Sequence, residues 1–342
     1  MTDLPLPPGK RATVIDVAQA AGVSPGTVSN AISGKRHVDE TTRKRIEAAI
    51  RALDYRPNHA ARRMRTGQTN TIAIFSSMPT AVAAGPSKLG FLMEIAASAA
   101  VAALARNTAL ILVPPIETPT ETFRTLAMDG AIVVEPEADD PVLALLDRVG
   151  VPTVCIGKPA GVETAYVDLD YALMARTLID HLLATGARAF PLIVGASTRP
   201  SNLVFKEVYH ERAARIGMQA TVVEVPEDRA EDGAAEAVSG LIEQAQSFDA
   251  VLVPTDAMAT GVMRALRLNG LAVPGQVRVV TRYDGVRART ETPPLTAMNL
   301  QLDTVATLAT QKLAEIIEDR SNDLPVTVPA PTLVVRGSSH IP

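Results

Sequence analysis

Small polar side chains that can pair with nucleotide bases cluster in the segment "SPGTVSN", residues 24–30. The amide of Asn30 both donates and accepts hydrogen bonds, so it can pair with adenine in a bidentate way. The hydroxyls of Thr27 and Ser29 suit phosphate oxygens instead. Gly26 reads no base, but it lets the backbone come close to DNA. The chemistry indicated here is hydrogen bonding to a nucleic acid.

The surrounding pattern predicts two short helices that hold this segment. Thr13 can cap a first helix, and Gly22 supplies the turn that ends it. Ser24 then caps a second helix with Pro25 at its first position, where the missing N–H costs nothing. The apolar positions expected to pack between the two helices are Val14, Val17, Ala18, Ala21, Val28 and Ile32. This is a helix-turn-helix whose second helix can enter a major groove, although any αα-hairpin can show a similar turn.

The residues around the helix pair are basic. The loop "GKRH" is followed by a third helix, capped between Asp39 and Thr42, whose apolar face includes Ile46, Ile50 and Leu53. The first 67 residues hold 12 Lys and Arg against 6 Asp and Glu, a charge of +6 in a chain whose net charge is −4. A small basic head on an acidic body is typical of proteins that meet a polyanion, although chance clustering on a solvated face gives the same totals.

From Thr71 the pattern changes to apolar runs separated by helical stretches. Eight such runs occur in two batches of four, from "TIAIFSS" to "VPTVCIGK" and from "AFPLIVGA" to "VRVVTRYD". Continuous apolar strands that alternate with helices indicate parallel sheets covered on both faces. Two batches of four predict two Rossmann-like halves. Ligands of such sheets bind at the carboxyl ends of the strands, so we expect a pocket between the halves.

The composition argues against most enzyme classes. The single Cys155 excludes an intrachain disulfide and a Cys-based zinc site, and the five His residues show no metal spacing. No dinucleotide fingerprint, phosphate-binding loop or nucleophile elbow occurs, so we expect no catalytic residues, no metal and no cofactor. A sugar- or nucleoside-processing enzyme on a doubly wound fold remains the alternative.

The chain carries no signal-peptide pattern and no apolar run of membrane-spanning length. We therefore expect a cytoplasmic protein without a membrane partner. A transport binding protein would need a signal peptide and would lack the basic head.

The sequence resembles the LacI/GalR family of bacterial transcription regulators. The head pattern of that family, roughly "DVA..AGVS..TVS" followed by "TR" and "L.Y.PN..AR.L", is matched almost position for position from Asp16 to Met64. The resemblance continues through "TGQTNTIAI", "PTDAMATGVMRAL" and "TPPLTAMNLQ", and so covers nearly the whole chain. It implies an all-α helix-turn-helix head and an α/β body like periplasmic binding proteins, with two Rossmann-like subdomains and parallel sheets. It also implies a homodimeric repressor that binds palindromic double-stranded operator DNA and senses a small molecule.

The resemblance also implies domain boundaries. The head would span residues 1–58, and a hinge helix with its linker would span 59–70. From the residues alone, Pro57, just before this range, could occupy the first turn of a short helix that Gly67 could end. The effector-binding and dimerisation domain would span 71–342. Its N-subdomain would comprise about 71–168 and 302–327, and its C-subdomain about 169–301 and 328–342.

Family positions that contact DNA can be carried over to this chain. Base-reading positions hold Pro25, Gly26 and Asn30, whereas backbone-contacting positions hold Ser24, Thr27 and Ser29. His37 lies in a loop that often touches DNA. In the hinge, the resemblance assigns DNA contacts to Ala61 and Met64, with Met64 in place of the Leu that family members insert into the minor groove. A thioether side chain can also act as such a wedge, and the alternative is a Met that packs on its dimer mate.

The expected effector site departs from the family pattern. Asp256 matches an Asp that commonly bonds effector hydroxyls. The alternative is that it has no ligand and simply caps the helix that follows the strand. Phe205 stands where family members usually carry an Arg, so it either lines a pocket or belongs to the core. The other positions that match effector contacts are Phe91, Arg199 and Ser201.

Arg282 and Tyr283, in "VVTRYDG", replace an aromatic residue and an Asp. We therefore predict a small-molecule effector, such as a sugar, a nucleoside or a related metabolite, that differs from the ordinary hexose.

Overall fold

The computed structural model of the protein describes residues 12–33, 36–55, 68–79, 90–114, 123, 125–318 and 326–340. The chain divides into two compact units, one up to Thr69 and one from Asn70 onward. They are called the head and the body below. Within the described residues, no helix combines the length and the apolar character needed to cross a membrane.

The head is a cluster of three helices. Its elements are α1 (Val14–Ala21), α2 (Pro25–Ser33) and α3 (Glu40–Ala52). Val17, Val28 and Ile46, each at most 1% exposed, form its core. The expectation that Ile32 packs inside is wrong, because its side chain is 37% exposed and Ala31 joins the core instead. On α2 the buried spacing is therefore three residues from Val28 and not four.

The first half of the body is a five-stranded parallel sheet with helices on its faces. Its strands are β1 (Thr71–Phe75), β2 (Ala109–Leu112), β3 (Gly130–Val134), β4 (Thr153–Ile156) and β5 (Ala165–Val167). Two helices of this half are α4 (Phe91–Ala105) and α5 (Pro141–Arg148). The strand order is β2-β1-β3-β4-β5.

The second half is a six-stranded sheet. Its strands are β6 (Leu192–Gly195), β7 (Val222–Val225), β8 (Ala250–Leu252), β9 (Arg278–Thr281), β10 (Thr296–Asn299) and β11 (Thr332–Val334). Its helices are α6 (Tyr171–Ala184), α7 (Pro200–Ile216), α8 (Ala230–Glu243), α9 (Asp256–Leu268) and α10 (Val286–Thr290). The order is β11-β10-β9-β8-β6-β7, and only β11 runs antiparallel to its neighbour.

The chain passes between the two halves three times. It leaves the first sheet after β5, and it returns after β10 as α11 (Leu302–Ile317), which packs against α4 and the first sheet. Val326 then pairs with Val167 beside β5 before β11 joins the second sheet. Three segments of the chain therefore connect the halves, and each half has its own sheet.

Both sheets share one topology. In each, the first strand lies between the second and the third, so the winding direction reverses between β1 and β3 and again between β6 and β8. Such reversals open a crevice at the carboxyl ends of the strands, where ligands of these folds bind. The expectation of four strands in each sheet is wrong, because it missed β5, β10 and β11. β5 has only three residues, and β10 and β11 include polar residues, as in "TAMN".

Candidate nucleic-acid interface and interdomain cleft

The helix-turn-helix is built from local capping. Thr13 and Asp16 form a reciprocal capping box at the start of α1. Gly22 ends α1 in the left-handed conformation, with φ of 65°. The side chain of Ser24 then starts α2, because its Oγ accepts a hydrogen bond from the backbone N–H of Thr27 at 3.1 Å. These caps confirm the predicted starts of both helices and fix the direction in which α2 leaves the turn.

The outward face of α2 carries the polar side chains expected to meet DNA. Ser24, Pro25 and Gly26 are exposed, whereas Thr27, Ser29 and Asn30 are partly exposed. The hydroxyls of Ser24 and Thr27 lie 2.9 Å apart, so each is oriented and keeps capacity for a further hydrogen bond. Val28, at 0% exposure, anchors the opposite face. This face is therefore polar and carries small side chains, while Val28 on the opposite face packs in the core of the head.

Of the other three predicted DNA contacts, the structure describes His37 only. His37 is exposed in the segment before α3. Ala61 and Met64, together with the expected hinge helix, lie outside the described residues.

In the body, the two topological reversals bring charged residues to the crevice. Ser77 and Glu135 follow β1 and β3 of the first half, whereas Arg199 and Asp256 follow β6 and β8 of the second half. Parallel strands direct these segments to the same edge of each sheet. Arg199 and Asp256 were predicted as effector contacts from the sequence, whereas Glu135 was not.

Arg199 links the two halves through four contacts. Its Nη1 donates to the Oγ of Ser77 at 3.0 Å and to the carbonyl of Glu135 at 2.8 Å. Its Nη2 lies 2.6 Å from a carboxylate oxygen of Glu137, also in the first half. Its Nε donates to Glu227 in the second half at 3.1 Å. The side chain is only 2% exposed, so the guanidinium is fully used by protein groups.

Glu135 and Arg282 form a second link. The Nη1 of Arg282 donates to Oε1 of Glu135 at 2.5 Å, and its Nη2 donates to Oε2 at 3.3 Å. Tyr171 and Ser201 also donate to this carboxylate, at 3.1 and 3.3 Å. Burial, followed by the charge of Glu135, raises the pKa of Tyr171 well above its usual value. The Tyr171 hydroxyl therefore stays protonated and available as a donor.

Aromatic rings surround Arg282. Its guanidinium carbon lies 5.5 Å from the ring centroids of both Phe91 and Tyr171, at cation–π distance. Phe91 also meets Tyr283 edge to face, with centroids 5.4 Å apart. The Tyr283 hydroxyl donates to Glu94 on α4. Burial and this hydrogen bond raise the pKa of Tyr283 above its usual value.

One carboxylate oxygen of Asp256 has no hydrogen-bond donor. Its Oδ1 accepts from the N–H of Ala257 at 2.9 Å, whereas Oδ2 is buried and has no hydrogen-bond partner. Burial raises the pKa of this carboxyl, and the charges of Arg287 and Arg282 act in the opposite direction. A buried acceptor without a donor is unfavourable, so a ligand hydroxyl or amide that donates to it would stabilise the site.

The remaining predicted effector residues lie near this network. Ser201 is 5% exposed and already bonded to Glu135. Phe205 is fully buried and belongs to the hydrophobic core cluster that joins the inner faces of the body. Phe91 begins α4, as the sequence predicts for the helix that starts near it.

A cavity of about 320 Å³ lies beside these residues and not at their centre. It is lined by the segments after β4 and β5 and by the start of α7, including Lys158, Asp168, Asp170, Tyr171, Pro200 and Val204. None of the five predicted effector residues lines it. Tyr171 connects it to the Glu135–Arg282 pair.

Several residues of this network were not predicted as site residues from the sequence, among them Glu135, Glu137, Tyr171 and Arg282. One signal was present for Glu135, since a carboxylate directly follows the fully apolar strand "GAIVV" at its carboxyl end. Its backbone φ of 46° is also unusual for a residue with a side chain. For Tyr171 the sequence shows only a residue at the start of a helix.

The groups that line the cleft can hold a polar ligand. The described residues contain no group of three or more His, Cys, Asp or Glu that could hold a metal ion. Cys155 is fully buried, and burial raises the pKa of its thiol to about 12, which leaves it without nucleophilic thiolate at neutral pH. What the cleft offers is guanidinium groups, carboxylates, hydroxyls and two aromatic rings.

Two family models match the chain. Residues 13–58 match bacterial regulatory proteins of the lacI family, and residues 179–339 match the periplasmic binding protein-like domain. The HTH-type transcriptional regulator CelR of Thermobifida fusca is 32% identical over 323 residues, 91% of this chain and 92% of that protein. The ribose operon repressor of Escherichia coli strain K12 is 28% identical over 337 residues, 96% of this chain and 100% of the relative. A solved transcriptional regulator CelR–cellobiose complex matches 96% of this chain and 100% of its own, with a TM-score of 0.69 and 26% identity.

Proposed function

Because the chain belongs to the LacI family of bacterial regulatory proteins, we propose how its parts carry out regulation. The protein is a DNA-binding transcriptional repressor that acts as a dimer on operator DNA and responds to a small-molecule effector. The head supplies the DNA contacts, and the body supplies the effector site.

The observation that carries this function is the outward face of α2. It presents Gly26, Thr27 and Asn30 on a helix that is anchored by Val28 and capped by Ser24. Small residues allow the helix to enter the major groove closely, and the Asn30 amide can then reach a base edge. We assign base reading to Pro25, Gly26 and Asn30, and phosphate contacts to Ser24, Thr27, Ser29 and His37.

The effector is proposed to be a polar small molecule related to sugars. Two relatives carry cellobiose or ribose in their names. In this chain, the unpartnered Oδ2 of Asp256 can accept a hydrogen bond from a hydroxyl, and the ring of Phe91 can pack against a sugar that displaces the Arg282 guanidinium. Phe205 contributes apolar packing and not the polar contact of an arginine.

Effector binding is proposed to act through the angle between the two halves of the body. A ligand that prefers one degree of closure shifts the population toward it, and operator affinity follows that population. Asp256 and Arg199 lie on the second half, whereas Phe91 lies on the first, so both halves face the ligand.

The relatives are DNA-binding regulators and not enzymes. We propose that this chain likewise has no catalytic activity and works in the cytoplasm. Turnover of a sugar by the purified protein, without any binding to DNA, would contradict both the regulatory role and this assignment.

The function is tested by selecting bound duplexes from a random library with the full-length protein. We expect enrichment of a palindromic sequence, because a symmetric dimer places two α2 helices on two half-sites. The enriched duplex should then bind more tightly than a scrambled duplex of the same length and composition. A selection without enrichment, or equal affinity for the two duplexes, would contradict the proposal.

A further inference from the structure

We propose that the protein closes its own effector cleft without an effector, with Arg282 as a built-in substitute for the ligand. The proposal uses the proposed function only in treating the crevice as the effector site. It concerns a property of the ligand-free protein that the regulatory function does not require.

The first argument is the number of polar links that cross the crevice. Arg282 of the second half bonds both carboxylate oxygens of Glu135 in the first half. Arg199, also of the second half, reaches Ser77, the carbonyl of Glu135 and Glu137 in the first half. The Tyr283 hydroxyl donates to Glu94. Two-domain binding proteins close around a bound ligand, whereas here the links across the crevice are made by the protein's own side chains.

The second argument is burial. Arg199 is 1% exposed, Arg282 is 7% exposed and Glu135 is 2% exposed, so these charges lie inside the protein and not on an open surface. Phe91 and Tyr171 place their rings within cation–π distance of the same guanidinium. A planar guanidinium enclosed by two rings and held by a carboxylate occupies the position that a polar ligand would take between the halves.

The third argument is what separation of this pair would entail. A neutral molecule that enters the centre has to part Arg282 from Glu135 while both remain buried, and an unpaired buried charge is strongly unfavourable. Opening of the halves instead returns both charges to water. In the closed form the pair keeps both buried charges compensated, whereas loss of Arg282 leaves Glu135 buried without its charge partner, so removal of Arg282 should favour the open form.

The experiment measures the distance between the halves in full-length, ligand-free protein by single-molecule energy transfer. Asp147 on α5 and Glu243 on α8, both exposed, are changed to Cys and labelled. Cys155 is buried with a raised thiol pKa, so it should not react with the dyes. Labelled subunits are mixed with excess unlabelled protein, so that a dimer carries one labelled subunit.

The test variant is Arg282→Met, which keeps the length of the side chain and removes the charge. The matched control is Arg336→Met, because Arg336 pairs with Asp284 at 2.8 Å within the second half and does not cross the crevice. We expect one closed population in the unchanged protein and in Arg336→Met. In Arg282→Met the open population should rise from below about 10% to the majority.

Two results would overturn the proposal: an open population that already dominates the unchanged protein, or an Arg282→Met variant with the same distance distribution as its control. A structural role alone would lower the melting temperature of both variants and leave the distances unchanged. If Arg282→Met does not fold, Glu135→Gln replaces it, since it removes the carboxylate that pairs with Arg282 and keeps the shape of the side chain. That variant must then increase the open population, and an unchanged distribution would overturn the proposal.

Discussion

At the scale of single residues, the head and the body use polar groups in opposite ways. Asn30 and its neighbours on α2 are at least partly exposed and can form hydrogen bonds outside the protein, which side chains that recognise DNA require. Arg199 and Arg282 in the body are both hydrogen-bonded to Glu135. The first set is therefore ready to bind, whereas the second has to rearrange before a ligand can use it.

The substitution Asn30→Ala tests the assignment of base reading. It removes a bidentate amide, so discrimination at one base pair of each half-site should fall by about 1–3 kcal/mol. Competition binding against duplexes mutated at single positions measures this loss. The control is Gln19→Ala, which truncates an exposed amide on α1 and should leave the preferences unchanged. An Asn30→Ala protein with the same preferences as the unchanged chain would remove Asn30 from the readers.

The sequence could predict some of these residues and not others. Asp256, Arg199 and Phe91 were predicted as effector contacts because family positions or strand ends indicated them, and their effector role stays a prediction. The network that joins Arg282, Glu135 and Tyr171 was not found, because those residues are 36 to 147 positions apart and meet only when both halves are assembled. Pairing of distant side chains leaves no trace in local spacing.

At the scale of elements, the carboxyl-terminal segment is held to the second sheet by buried hydroxyls. The Oγ of Ser339 lies 2.6 Å from Oγ1 of Thr296 on β10 and 2.7 Å from Nε2 of His181 on α6. Ser338 donates to the carbonyl of Val279. One titratable side chain thus belongs to the set of bonds that fixes the end of the chain.

This arrangement predicts a pH dependence of stability. Burial, followed by the charge of His340, lowers the pKa of His181 below its ordinary value of 6.5. The fold therefore favours the neutral imidazole, and the stabilisation is complete above pH 6.5 and is lost as the pH falls toward the lower folded pKa.

Thermal unfolding between about pH 5 and 8 measures this loss, with His181→Gln as the comparison because it keeps a hydrogen-bonding group that does not titrate. The melting temperature of the unchanged protein should fall more steeply below about pH 6.5 than that of the variant. Parallel curves for the two proteins would show that His181 does not contribute.

Helices and strands were predicted correctly where helix capping or a continuous hydrophobic run marked them in the sequence. The three head helices and the eight apolar strands follow from capping and from continuous hydrophobic runs, and the structure contains them. The three missed strands are no shorter than β8, which was predicted, but β10 and β11 include polar residues and are identified as strands by their pairing with neighbours. Likewise, Ile32 was assigned to the core from spacing alone, whereas the packing of three helices selected Ala31.

At the scale of the whole molecule, charge separates the two tasks. A head of charge +6 in a chain of net charge −4 is suited to meet a polyanion, while the acidic remainder is repelled by it. This asymmetry was readable from the sequence, and it supports binding through α2 and the loop that holds His37. It also requires that DNA affinity depend strongly on ionic strength.

A salt titration of the full-length protein on its selected operator duplex tests the central claim most directly. If the head binds through phosphate contacts and base edges, affinity should fall by about 10³-fold or more between about 50 and 200 mM salt. The preference over a scrambled duplex should survive across that range, because base contacts depend less on counterion release. Affinity that is flat against salt, or that is equal for the two duplexes, would contradict the account.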